Sequence, residues 1–215
     1  MKKNNKLVIG LVALVAILIA ALVVFFVFIR GAKKFNPTQT SLFVHTNGSI
    51  TGALIEDFDE ATYNKDELLA YVEENISTYN EEKVGDKRAY LDEKNKEDSL
   101  PVVLSSFNVK NGKAEVRIDY KDIDTYLDFN ENDESVTDLE FSTVRDANIS
   151  GISFQSVKGS TVKNTTLDAN LYVIVVKGKL PIQFEGKLAY YSNVGVEDDE
   201  ATPNSETEKG YIVFE

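Results

Sequence analysis

The sequence predicts an α+β domain behind an N-terminal transmembrane helix, the domain made of antiparallel β-hairpins packed on one amphipathic helix. Three observations predict it. Leu7–Ile29 runs for 23 residues without a charged or strongly polar side chain. Two Asn-Gly pairs, Asn47-Gly48 and Asn111-Gly112, each separate stretches rich in strand-forming residues. Between them, Leu68, Val72, Ile76 and Tyr79 recur at helical spacing behind a capping signal.

At ~1.5 Å per residue, a helix over Leu7–Ile29 covers the ~30 Å hydrocarbon core of a bilayer. A cleaved secretory signal has a shorter apolar middle and small residues ahead of the cut. Here the run closes on aromatic and branched residues, and cutting after Ala32 would put Arg30 where a small residue is wanted. The segment is therefore expected to stay. The chain has no cysteine, which excludes a lipid-bearing N-terminus, disulfides, thiol catalysis and cysteine-ligated zinc. Lys2, Lys3 and Lys6 are balanced by Arg30, Lys33 and Lys34 across the run, and the terminal amine tips the short tail toward the cytoplasm. The expected organisation is a cytoplasmic tail over 1–6, a signal-anchor helix over 7–29, a linker over 30–40 and an extracytoplasmic domain over 41–215. That describes a single-pass protein of the cell membrane with its C-terminal domain outside.

Within the domain, Ser41–Thr46 and Ser49–Ile55 flank Asn47-Gly48 and predict a hairpin, because Asn and Gly tolerate the positive φ angles of a type I′ turn. His45 falls out of phase with Leu42 and Val44, on the wet side of its strand. Asn64 followed by Glu67 forms a capping box for a helix from Asp66 to Lys83, with Gly85 ending it. The stripe of Leu68, Val72 and Ile76 is expected to pack on the sheet, and Glu73, Glu74, Asn80 and Glu81 to face water. Val102–Lys110 and Lys113–Tyr120 flank the second Asn-Gly, the latter alternating Ala114, Val116, Ile118 and Tyr120 with charged residues. A short helix is expected around Ile123–Leu127. Strands are expected at Leu139–Val144 and Gly151–Val157, then at Leu171–Val176, the last covered on both sides. Another strand should span Ile182–Ser192, bent at Gly186, and a last one Tyr211–Phe214. Glu197–Lys209 reads as a flexible loop.

Composition narrows the chemistry. The formal net charge is −12, and residues 1–34 hold six of the 23 basic side chains but none of the 35 acidic ones. The remainder is strongly acidic, which repels phosphate backbones and argues against nucleic-acid binding. His45 is the single histidine, so a Ser-His-Asp relay would have to run through it, and no Gly-x-Ser-x-Gly elbow lies nearby. Asp128, Asn130 and Asn132 occupy positions 1, 3 and 5 of a calcium loop, but Asp133 stands where glycine belongs and Leu139 where the bidentate glutamate belongs. They are weak metal candidates. Glu56, Asp57, Asp59 and Glu60 cluster between a hairpin and a helix, where a carboxylate pair could serve a hydrolase.

Asn47-Gly48-Ser49-Ile50, Ile55-Glu56-Asp57-Phe58-Asp59, Tyr63, Glu67-Leu68, Tyr79-Asn80, Gly186-Lys187-Leu188, Tyr191-Ser192-Asn193 and Tyr211-Ile212-Val213 form a pattern. It resembles an uncharacterised family of membrane-anchored extracytoplasmic proteins of low-GC Gram-positive bacteria, many of them lipoproteins. This chain departs from those in keeping an apolar segment where they carry a lipid-bearing cysteine. The resemblance implies a location outside the membrane and carries no catalytic residue across. The functional expectation is a membrane-tethered, non-catalytic module without cofactor, anchored in the cell membrane through residues 7–29, with a basic protein or cell-envelope ligand as partner. The alternatives are a carboxylate-dependent cell-envelope hydrolase and a calcium-dependent module.

Overall fold

Alternating apolar and charged residues give half-buried strands, and in the computed structural model they pair around Lys113–Tyr120 as the pattern demands. The structure describes residues 34–91, 99–198 and 200–215. The expected transmembrane helix over 7–29 lies outside them. Among the described residues no helix is long and apolar enough to cross a membrane.

The elements follow in chain order as β1 (Ser41–Val44), β2 (Ile50–Asp57), α1 (Lys65–Val84), β3 (Val102–Lys110), β4 (Lys113–Tyr120), α2 (Ile123–Phe129), β5 (Val136–Thr143) and β6 (Ser153–Ser156). Then come β7 (Thr161–Lys163), β8 (Tyr172–Gly178), β9 (Ile182–Phe184), β10 (Leu188–Ser192), β11 (Val194–Glu197), β12 (Glu200–Pro203) and β13 (Gly210–Phe214). They make a mixed α+β domain with two sheets, ordered β11-β12-β9-β1-β2-β4-β3 and β5-β8-β13-β10-β6-β7. Pairing is antiparallel except between β1 and β9, which run parallel with Val44 opposite Phe184.

One core joins the sheets. Leu42, Val44, Ile50, Val116, Ile118 and Tyr120 from the first sheet pack in one cluster with Leu139, Ile174, Val176, Ile212 and Phe214 from the second. A smaller core on the outer face of the second sheet gathers Val173, Val175, Val213 and Phe154 beneath Ile149 and the chain around it. Strand β8 is therefore covered on both faces, as its unbroken apolar run predicts.

The two Asn-Gly pairs fold differently. Asn111 and Gly112 both take positive φ, 55° and 72°, and close a two-residue hairpin between Lys110 and Lys113. At the first hairpin only Gly48 is positive, at 85°, and its N–H reaches His45 O at 2.9 Å. Asn47 instead turns its side-chain oxygen back to the Ser49 N–H and hydroxyl, so the loop is longer and the expected type I′ turn does not form.

Other differences have equally local causes. The expected strand over Ile182–Ser192 is two strands, because the chain leaves one sheet for the other at Gly186. There φ is 149°, and a Cβ would strike the backbone oxygen of Glu215 and lie 2.8 Å from the Phe214 ring. The expected flexible loop over Glu197–Lys209 begins with a hairpin, β11 to β12, in which Ala201 is fully buried opposite Ile182. Of the expected linker over 30–40, Pro37 is buried and the Phe35 ring packs at a tilt against Phe43, with centres 5.3 Å apart, beneath Arg117.

Helix α1 starts where the capping box predicts, with the Asn64 side chain accepting from Asp66 N–H at 2.8 Å. It packs on β3. Ile76 is fully buried, but Leu68 and Val72 are only half-buried. Asn80, expected to face water, is fully buried: its amide donates to the carbonyls of Arg88 and Val102 at 2.8 and 2.7 Å, and its oxygen accepts the Val102 N–H at 3.1 Å. The four-residue step linking 68, 72 and 76 also reaches 80, and that spacing is the signal for its burial.

Candidate functional site

The loop from β2 to α1 is folded by its own acid. Asp59 accepts the Ala61 N–H at 3.0 Å and the Thr62 hydroxyl at 2.7 Å, while its carbonyl takes the N–H groups of Thr62 and Tyr63 at 2.9 Å. Next to it, the Phe58 N–H donates to Gly112 O at 2.7 Å and ties the loop to the β3–β4 turn. Phe58 is buried, whereas Tyr63, whose ring centre lies 5.9 Å away, is 61% exposed. On α1, Tyr71 is 64% exposed.

Two open recesses sharing a wall lie between this loop, the first turns of α1 and the end of β3, with volumes of about 650 and 460 Å³. Phe58, Tyr63, Leu68 and Tyr71 supply the smaller one's apolar and aromatic wall, and Asp57 and Glu67 its charge. Glu60, Lys65 and Val109 belong to the larger. A cleft with aromatic faces and a few carboxylates suits a ligand that offers apolar surface and positive charge.

Three of the four clustered acids, Glu56, Asp57 and Asp59, are engaged in contacts of the fold. A general acid in a glycosidase needs a carboxyl whose proton is held tightly. Asp59 is shifted the other way, below its ordinary value, first by the Thr62 hydroxyl and then by the Ala61 N–H. Asp57 reaches Lys113 Nζ at 3.2 Å in open solvent, and Glu56 accepts the Thr40 hydroxyl at 3.4 Å.

His45 lies on the outer face of the first sheet as expected, but it is one-third exposed and engaged. Its Nε2 sits 3.0 Å from Thr51 Oγ1, and its Nδ1 is 3.8 Å from Glu185 Oε2. Hydroxyl, imidazole and carboxylate thus stand in the order of a nucleophilic relay. The polarity is wrong for one: the Thr51 hydroxyl lies 2.7 Å from Asp119 Oδ1 and donates to it, so Nε2 donates to Thr51 and cannot receive its proton. Thr51 also sits inside a strand paired on both sides, with Phe43 and Asp119, which uses the neighbouring backbone N–H groups in the ladders. Glu185 accepts the Thr46 N–H and hydroxyl at 3.0 and 2.9 Å, and the backbone N–H leads in holding its carboxyl below the ordinary range.

Asp128, at the end of α2, turns away from the calcium-loop arrangement. It accepts the Tyr79 hydroxyl at 2.7 Å and Lys83 Nζ at 2.8 Å, so it fastens α2 to α1. Lys83 first and Tyr79 second hold its carboxyl below the ordinary range. In the following turn, Asn130 donates to the carbonyl of Tyr126 at 2.8 Å, and Asn132 is exposed. Among the described residues no three His, Asp or Glu side chains gather as a metal site.

The cleft was hidden from the sequence because it joins residues 57–71 to Val109, some forty positions later. The one trace was the pairing of tyrosines with acids around a helix start. No protein-family model, no curated protein and no solved structure matches this chain.

Proposed function

We propose that this protein is a membrane-tethered extracytoplasmic module that binds a partner at the cell surface through the Asp57–Tyr71 cleft and does not transform it. The apolar run Leu7–Ile29 supports the tether, with the domain on the outer side and anchoring through residues 7–29. The resemblance to membrane-anchored extracytoplasmic proteins of Gram-positive bacteria supports the same placement. The observation that carries the binding role is the exposure around an open recess of Tyr63, on a loop fixed from below by Asp59 and Phe58, and of Tyr71, on the first turns of α1. Large aromatic side chains left exposed on a braced loop mark contact surface. A basic protein or a cationic cell-envelope ligand fits the acidic rim.

A carboxylate-dependent hydrolase and a calcium-dependent module draw no support from the geometry, since Asp59 and Asp128 are engaged within the domain. Proximity crosslinking of the full chain in its own membrane, at low and high salt, tests the proposal. A reproducible surface partner whose capture falls at high salt is expected. Cleavage of a cell-wall glycan by the purified chain, abolished by Asp57→Asn or Asp59→Asn without unfolding, would overturn it. External protease should remove residues 41–215 from intact cells, and survival of the full-length band until lysis would reverse the orientation.

A further inference from the structure

Strand β3 forms one edge of the first sheet, and its two halves are treated differently. At the start, the outward backbone groups are occupied: Val102 N–H and C=O are taken by Asn80, and Leu104 N–H donates to Ala89 O at 2.7 Å. Beyond the bulge between Leu104 and Ser106 no described residue continues the covering. The two-residue turn makes Lys110 and Lys113 a hydrogen-bonded pair, so in antiparallel alternation Asn108 and Ser106 also bond to β4, and Phe107 and Val109 point their N–H and C=O groups outward. These have no hydrogen-bond partner among the described residues. An uncovered edge of this kind is a template for another strand.

The open half ends at the cleft, since Val109 lines the larger recess together with Glu60, Tyr63, Lys65 and Glu67. Taken together, these point to one kind of occupant, and we infer that the cleft and the β3 edge form a single groove that takes an extended, lysine- or arginine-bearing segment of a partner protein as an added strand. The inference rests on the binding role proposed above and names its ligand class. Backbone pairing at Phe107 and Val109 sets the register, and alternate side chains of the segment point toward α1 and the recess. There the tyrosine faces and the carboxylates of Glu60 and Glu67 receive positive charge. Two carboxylates against the one ammonium of Lys65 leave the recess net negative, which disfavours a negatively charged segment.

The test uses the full chain in lipid nanodiscs and a twelve-residue peptide alternating Lys with Thr. Binding is expected, with slowed hydrogen exchange at the Phe107 and Val109 amides. N-methylation of alternate peptide amides, or Val109→Pro in the protein, should weaken binding by about tenfold, the size of one or two lost backbone bonds. Glu60→Gln with Glu67→Gln should weaken it about threefold and reduce its salt dependence. A melting temperature unchanged by Val109→Pro separates lost pairing from lost folding; if it falls, the N-methylated peptide alone decides. Binding that ignores N-methylation and leaves both amides exchanging would overturn strand addition while leaving the cleft as a binding site. Phe107 and Val109 amides already protected without peptide would show that the chain covers its own edge and would also overturn it. Failure of this peptide to bind, alongside a surface partner captured in the membrane, would remove the cationic strand and keep the module; failure of both would remove the binding role itself.

Discussion

In the second half of α1, Ile76 and Asn80 are fully buried and Tyr79 and Lys83 hold Asp128 of α2. In the first half, Leu68 and Val72 are half-buried and Tyr71 is largely exposed above an open recess. Strand β3 beneath repeats the division, covered at Val102 and Leu104 and, among the described residues, open at Phe107 and Val109. Acid-rich sequence occurs at both ends. At one end Asp128 is used up by a lysine and a tyrosine within the fold, and at the other Glu60 and Glu67 border the recess. In the proposed reading the same residue type serves stability at one end and recognition at the other, according to what faces it, and the division falls within one helix and one strand.

Substitutions that respect or cross that division should give separable outcomes. The largest effect is expected at Ile76→Ala, which leaves a cavity in the main core and should cost about 2 to 5 kcal/mol in chemical denaturation. Val72→Ala, one turn earlier and half-buried, should cost clearly less; equal losses at the two positions would erase the contrast along the helix. Asn80→Ala comes next, at about 1 to 3 kcal/mol, because it strands the N–H and C=O of Val102 as well as the Arg88 carbonyl.

Acid titration sharpens the comparison. Asp128 has its folded-state pKa below the unfolded value, held there first by Lys83 and then by Tyr79. Its contribution is therefore complete above the ordinary carboxylate range of ~4 and is lost as pH falls through the folded value. Asp128→Asn should lower stability at pH 7 and converge with the unaltered chain in strong acid. Asp86, beside the end of α1, behaves alike: the Arg88 side chain and then its N–H bring its carboxyl down to about 2, so its contribution fades between ~4 and about 2. A constant difference between Asp128→Asn and the unaltered chain from pH 7 to pH 2 would show that the carboxylate does not fasten the helices. At the open end, Tyr71→Ala should change stability by no more than about 0.5 kcal/mol.

Much of this organisation was legible beforehand. β3 and β4 fall on the expected residues because their alternation and the Asn111-Gly112 turn agree, and α1 begins and ends at the expected caps, Asn64 and Gly85. What escaped depends on distant partners. Asn80 is buried because Val102 needs its amide, β12 is a strand because Ala201 meets Ile182, and Ile182–Ser192 divides because the chain passes from one sheet to the other at Gly186, where Phe214 and Glu215 leave no room for a Cβ. Asn47 escaped for a nearer reason, since Ser49 offered its side chain an alternative to the tight turn. The recess was illegible because its far wall belongs to another hairpin.

The central claim is that the exposed end of α1 meets a partner while the buried end only holds the fold. Site-specific photocrosslinking in the native membrane tests it most directly, with the photoreactive residue placed at Tyr63 in one chain and at exposed Val157, away from the cleft, in another. The expected result is a discrete partner band from position 63, absent from position 157 and lost when Tyr71→Ala is added at unchanged protein level. The same bands from both positions, or none from position 63 while position 157 gives one, would contradict it.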